Sequence, residues 1–188
     1  IGLLCSYLKK HANKSNDLKF TIPIYRREEK SNLVKKLEGV DILLVSLYVW
    51  NKNISLAVAK QVKRKNPDML VVIGGPSVPN DASEFMIEHN YIDVCVHQEG
   101  EQTLLEIVDM LPNNNYSDIK GLSYRDDNGV IHNTGIRDRI RDFSLFPSPY
   151  LSGFFDELIE IVGDSHSWLA SWESNRGCPF ACTYCDWG

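Results

Sequence analysis

A threefold alternation between residues 41 and 111 constrains the fold more than any other feature. "DILLVSLY" (41–48), "MLVVIGG" (69–75) and "YIDVCVH" (91–97) are near-continuous apolar runs of strand length. A strand that is apolar at successive positions has both faces buried, which is the pattern of a parallel sheet covered on two sides. Each run leads into a segment of helical period. Ile54, Ala57, Val58 and Val62 recur on one face, Lys60, Gln61, Lys63 and Arg64 fill the other, and "NPD" at 66–68 stops the helix. "DASEFMIEHN" (81–90) reads as a short helix capped by Asp81 or Ser83. "EGEQTLLEIVDML" (99–111) reads as a helix that buries Leu104, Ile107, Val108 and Leu111. Strands and helices joined by short links predict an α/β fold, a doubly wound parallel sheet with right-handed crossovers.

In such a sheet ligands bind beyond the carboxyl ends of the strands. Three loops should share that rim: "SLYVWN" (46–51), "GGPSVP" (74–79) and "HQEGE" (97–101). Upstream, "IGLLCSYLKKHA" looks helical, "LKFTIPI" strand-like, and "EEKSNLVKKLEG" helical with Gly39 as its stop. After Pro112 the period changes. "IKGLSYRDDNGVIHNTG" alternates and contains Asn128-Gly129, a hairpin signal, so a small β appendage is expected there. "IRDRIRDFSLFPSPYL" (136–151) mixes charges with Pro147 and Pro149 and reads as a linker. A helix at "SGFFDELIEIVG" and a strand at "SWLASWES" complete the pattern. The expected organisation is a first domain over 1–112, a hairpin and linker over 113–150, and the start of a further, truncated domain over 151–188.

Composition narrows the function. With 43% hydrophobic residues the chain can build a core, yet its apolar runs are too short for a membrane span. A net charge of -5 gives no electrostatic reason to expect nucleic acid. "IGLLCSYLKK" lacks the pattern of a secretory signal, and five cysteines in no paired arrangement do not make a disulfide framework. A cytoplasmic location is expected.

Cys5 and Cys95 sit in apolar surroundings and read as small buried hydrophobes. The other three close the chain in "NRGCPFACTYC", with three residues between Cys178 and Cys182 and two between Cys182 and Cys185. That spacing lets one loop wrap three thiolates around a single metal centre. Zinc would need a fourth ligand, for which Asp186 or His166 is available. An iron-sulfur cubane held by three thiolates instead leaves one iron open to a substrate or cofactor.

The run C-P-F-A-C-T-Y-C resembles the C-x3-C-x2-C signature of the radical S-adenosylmethionine (SAM) enzymes. That resemblance implies a [4Fe-4S] cluster held by Cys178, Cys182 and Cys185, with Tyr184 beside the adenine of S-adenosylmethionine. It also implies a loop that follows the first strand of a partial (β/α) barrel. "DILLVSLYVWN", "GGPSVP", the Gly-Glu pair of "HQEGEQT" and the linker "FPSPYLSG" are similar to the Rossmann-like cobalamin-binding domain that precedes the barrel in one large class of these enzymes. By that analogy Ser46, Tyr48, Trp50, Asn51, Gly74, Gly75, Pro76, Ser77, Glu99, Gly100 and Glu101 face the corrinoid or its nucleotide tail. Taken singly, each has a plainer reading: Gly74-Gly75 as a tight turn, Trp50 as core, Glu99 and Glu101 as the acidic first turn of a helix.

The sequence departs from the family in three respects. No histidine sits in the Asp-x-His-x-x-Gly loop that ligates cobalt in many cobalamin domains; Gln98 stands where a glycine is usual; and the sequence starts near what should be the first helix, so the family's first strand with its loop is not expected within it. The resemblance therefore implies an amino-terminal portion of a cobalamin-dependent methyltransferase, taking a small-molecule substrate and an electron donor such as flavodoxin or ferredoxin. As given, the chain is not expected to catalyse. The rival readings are a radical enzyme performing cyclisation or rearrangement, and a non-catalytic cobalamin- or nucleotide-binding module with structural zinc.

Overall fold

The structure, a computed structural model, describes residues 1–163, 167–171, 173, 175–178, 180 and 182–184. The elements run α1 (Gly2–His11), α2 (Lys30–Lys36), β1 (Ile42–Ser46), α3 (Lys52–Lys65), β2 (Leu70–Gly74), α4 (Ser83–Glu88), β3 (Val94–Val96), α5 (Glu101–Met110), β4 (Leu122–Arg125), β5 (Ile131–Asn133) and α6 (Asp156–Val162).

The strands form one sheet in the order β1-β2-β3-β4-β5. The apolar runs make its parallel part, β1 with β2 from Ile42 opposite Leu70 to Ser46 opposite Gly74, and β2 with β3 through Val72–Val94 and Ile73–Cys95. The hairpin then joins antiparallel, β4 on β3 and β5 on β4. The sheet is thus mixed, and the alternating segment expected as an appendage extends the same sheet beyond β3.

Successive strand residues point to opposite faces, and both faces are covered. On one, Leu43, Val71, Ile73 and Cys95 pack with Leu33 and Val34 of α2, Leu56, Ala59 and Val62 of α3, and Phe85 and Met86 of α4. On the other, Val72, Val94, Val96 and Leu122 pack with Leu8 of α1 and with Leu104 and Ile107 of α5. That two-sided burial is why the three runs lack a polar alternation. Among the described residues no helix is long and apolar enough to cross a membrane.

The expected strand at "LKFTIPI" and the expected cap of α4 need correction. "LKFTIPI" is extended but joins no ladder. A cleft of about 640 Å3 lies between residues 19–27 and β1, lined by Phe20, Ile22 and Ile24 on one side and Leu43 to Ser46 on the other. With no strand in that gap, the segment has no partner with which to be a strand. The strand expected at "SWLASWES" (167–174) lies partly outside the described residues. In addition, neither Asp81 nor Ser83 is the residue before α4; that position is Ala82, and Asp81 Oδ1 accepts from the Ser83 amide at 3.0 Å.

The segment after the hairpin is fastened to α5 by arginines. Arg137 Nε donates to Thr103 Oγ1 at 2.9 Å and to the Lys120 carbonyl at 3.1 Å, while its Nη atoms hold both oxygens of Glu106. Arg176 repeats the arrangement one turn nearer the start of the helix.

Candidate corrinoid rim and cysteine loop

Because β1, β2 and β3 run parallel, their carboxyl ends share one edge, and the three predicted loops leave from it. The first loop is built by Asn51. Its Oδ1 accepts from the Tyr48 amide at 2.8 Å and its Nδ2 donates to the Ser46 carbonyl at 2.9 Å, closing residues 46–51 into a tight arch. The arch displays an aromatic surface: Trp50 is 75% exposed and stacks on Tyr48 at 4.6 Å between ring centroids. Val49 beside it is 80% exposed. Large apolar side chains standing together in water mark a surface that binds something flat and apolar. Trp50 is therefore no core residue. Ser46, Tyr48, Trp50 and Asn51 also line one end of the 640 Å3 cleft.

The second loop is fixed by backbone. The Leu47 amide donates to the Gly74 carbonyl at 2.7 Å, and the Ser77 amide to the Leu47 carbonyl at 3.1 Å. Gly75 has φ +103, and a Cβ there would stand 2.8 Å from the Leu47 oxygen and 2.9 Å from its nitrogen. Gly75 is thus required by the crossing of the two chain segments. A Cβ at Gly74 would meet Val96 at ordinary contact distance, 3.6 and 3.7 Å, so packing does not demand glycine there. Pro76 and Ser77 follow on the same turn, half-exposed or exposed.

The third loop explains a departure noted in the sequence. Gln98 has φ 55, a left-handed conformation that glycine adopts without strain, which accounts for the glycine usual at this place. Before it, His97 Nε2 lies 2.9 Å from Ser123 Oγ, and burial lowers its pKa below the ordinary value against an opposing effect of Asp81. Gly100 precedes α5, and Glu101 begins it.

Glu99 and Glu101 are occupied by protein. Arg176 makes a two-pronged contact with Glu101, Nη2 to Oε1 at 2.7 Å and Nη1 to Oε2 at 3.1 Å. Its Nη1 also lies 3.5 Å from Glu99, its Nε donates to Glu173 at 3.0 Å, and its guanidinium sits 4.3 Å above the ring of Phe146. Glu99 Oε2 further accepts from the Ile140 amide. Burial alone would lower the Arg176 pKa, but the bonds to Glu101 and Glu173 outweigh it and raise the pKa above the usual guanidinium value. Gly177 has φ +80, and Glu101, the arginine's two-pronged partner, lies seventy-five positions away, too far to leave a local signal in the sequence.

Directly after Arg176 comes the cysteine loop. Cys178 and Cys182 are exposed free thiols, and Tyr184 is 91% exposed. Two exposed thiols on one short loop are accessible to a metal centre; the buried Cys5 and Cys95 thiols, pushed up to about 11 and about 12 by burial, are not. Cys185, Asp186 and His166 lie outside the described residues, and no set of three or more metal-ligating side chains occurs among those described. The predicted site residues thus fall into separate groups: an aromatic arch at the cleft, a backbone turn at Gly74 to Ser77, and an acidic pair engaged by the arginine of the cysteine loop.

A family model described as "B12 binding domain" matches residues 2–108. The whole chain is 34% identical over 190 residues to 2-(S-pantetheinyl)-carbapenam-3-carboxylate methyltransferase of Streptantibioticus cattleyicolor. It is 33% identical over 190 residues to the cobalamin-dependent radical SAM methyltransferase TokK of Streptomyces tokunonensis. The chain spans 28% of the length of each of these two relatives. The solved structure of the cobalamin-dependent S-adenosylmethionine radical enzyme OxsB, with aqua-cobalamin and S-adenosylmethionine bound, superposes over 98% of this chain and 25% of its own, with a TM-score of 0.73 at 22% identity. The fold is therefore the Rossmann-like α/β fold, and the chain belongs to the B12-binding domain family.

Proposed function

We propose that this chain is the cobalamin-binding part of a longer radical SAM methyltransferase, and that the rim of its parallel strands receives the corrinoid. The observation that carries the reading is the Asn51-braced arch, which holds a stacked Tyr48–Trp50 pair in water at the sheet's carboxyl edge, within a chain of the B12-binding family. Trp50 and Tyr48 offer a flat apolar surface, and Gly74, with no side chain at the end of β2, allows backbone approach to a macrocycle. No histidine of the sequence stands in an Asp-x-His-x-x-Gly loop, so the residues that would hold the corrinoid include none from that motif.

Cys178 and Cys182, with Cys185, would hold a [4Fe-4S] cluster, and Tyr184 would lie beside the adenine of S-adenosylmethionine. Together these cofactors supply reductive cleavage of the sulfonium and methyl transfer through cobalt. The contribution of the protein is to present the thiolates at the corrinoid rim and to keep that rim apolar. A small-molecule substrate and an electron donor such as flavodoxin or ferredoxin complete the proposal. The two methyltransferase relatives favour methyl transfer over cyclisation. The 188-residue chain by itself is expected not to cleave S-adenosylmethionine.

The test is anaerobic reconstitution of the full-length protein with iron, sulfide and hydroxocobalamin. About four irons and four sulfides per chain together with retained corrinoid support the proposal. Bound zinc without sulfide would support the structural-metal alternative instead.

A further inference from the structure

Glu99 and Glu101 stand on the corrinoid rim, yet their carboxylates face an arginine. We infer that Arg176 is a positioning residue, which seats the cysteine loop on the rim by engaging Glu101 and Glu99, so that these two acids serve the loop and not the corrinoid. The inference deepens the function proposed above, since the seat matters only if the loop's thiolates must be held near a rim-bound cofactor.

The geometry is that of a built contact. Side-chain exposure is 11% for Arg176, 7% for Glu101 and 17% for Glu99. A guanidinium and a carboxylate so far removed from water lose hydration, and only close, two-pronged bonding in a fixed geometry compensates for that loss. Arg176 has this bonding on Glu101, with Glu173 on its Nε and the Phe146 ring beneath its plane. The partners come from three parts of the chain: the first turn of α5 and the loop before it, the linker, and the residues ahead of the cysteines. Only Gly177 separates Arg176 from Cys178, so fixing the guanidinium fixes the start of the loop. Glu99 strengthens the assignment by also accepting the Ile140 amide, tying the linker to the same point. A lysine could not take over, because an ammonium offers a point charge in place of a planar fork and does not stack on Phe146 in the same way.

Arg176 is itself a trypsin site, which gives a readout that needs no cofactor. In the unaltered chain, cleavage after Arg176 should be at least about tenfold slower than after Arg139 and Arg141, which are exposed on the linker, because only the opened form is cut. In Glu101→Gln, cleavage after Arg176 should rise to the rate at Arg139 and Arg141 while the urea midpoint of the α/β core stays unchanged. Phe146→Ala, which removes the ring beneath the guanidinium together with its contacts to Tyr7 and Phe143, should accelerate it in the same direction and serves if Glu101→Gln does not fold. Equal cleavage at all three arginines in the unaltered chain overturns the inference, as does unchanged protection of Arg176 in both variants. A lowered midpoint with no selective change at Arg176 also overturns it, since that is the signature of a general structural role. Corrinoid retained by full-length Glu101→Gln is expected to match the unaltered protein. Failure of the unaltered full-length protein to retain corrinoid sinks the proposed function and leaves the trypsin result standing on its own.

Discussion

At the scale of single residues, the rim is held by backbone demands that the sequence half displays. Gly74-Gly75 is legible as a glycine pair after a strand, but which glycine is indispensable follows only from the Leu47 backbone lying against Gly75. Gly75→Ala should therefore cost about 3 kcal/mol, from a left-handed φ and a contact that backbone cannot relieve; urea denaturation measures it. Gly39, also at positive φ but with nothing within 4 Å, should lose less on the same substitution. His97 gives a second prediction. Its folded pKa is depressed by burial below the ordinary 6.5, so on acidification the unfolded chain takes up the proton first. Its contribution to stability is then constant above about pH 6.5 and falls as pH drops from there toward the folded value. His89, also depressed chiefly by burial, acts in the same sense. Unfolding midpoints measured from pH 8 to pH 5 should decline below pH 6.5, with a shallower decline in His97→Asn; a rise on acidification would contradict the account.

At the scale of elements, the sequence was readable wherever a segment satisfies its own pattern. The runs at 42–46, 70–74 and 94–96 are strands because they are apolar on both faces, and the helices between them are amphipathic because each covers one face. "LKFTIPI" has the composition of a strand, yet strand identity needs a hydrogen-bonded neighbour, and here a cleft separates it from β1. The β1 edge facing that cleft carries a testable consequence. The Leu47 amide bonds to Gly74 and the Leu70 amide to the Asp41 carbonyl, so the odd-numbered residues of β1 turn toward β2 and Ile42 and Leu44 turn toward the cleft. Hydrogen exchange in this chain should be fast at the Ile42 and Leu44 amides and slow at Leu43 and Val45. Uniform protection along β1 would mean that residues 19–27 pair with it directly.

At the scale of the whole molecule, one arginine joins the rim proposed to receive the corrinoid to the cysteine loop. The cysteine spacing and the three rim loops were visible as motifs because their chemistry depends on local sequence. Their seating was not, because it depends on Arg176 meeting α5 and the linker across long sequence separations. The same holds for the hairpin: Asn128-Gly129 announces it, but only strand pairing shows that it extends the sheet through β3 and β4. The central claim is that the rim beside Trp50 receives cobalamin, and corrinoid retention tests it most directly. After incubation with hydroxocobalamin and removal of unbound ligand, the full-length protein should keep about one corrinoid per chain by its visible absorbance, and Trp50→Ala should keep at least about tenfold less at limiting ligand, as loss of a buried aromatic anchor commonly causes. Absence of retained corrinoid, or retention indifferent to Trp50, would contradict the account.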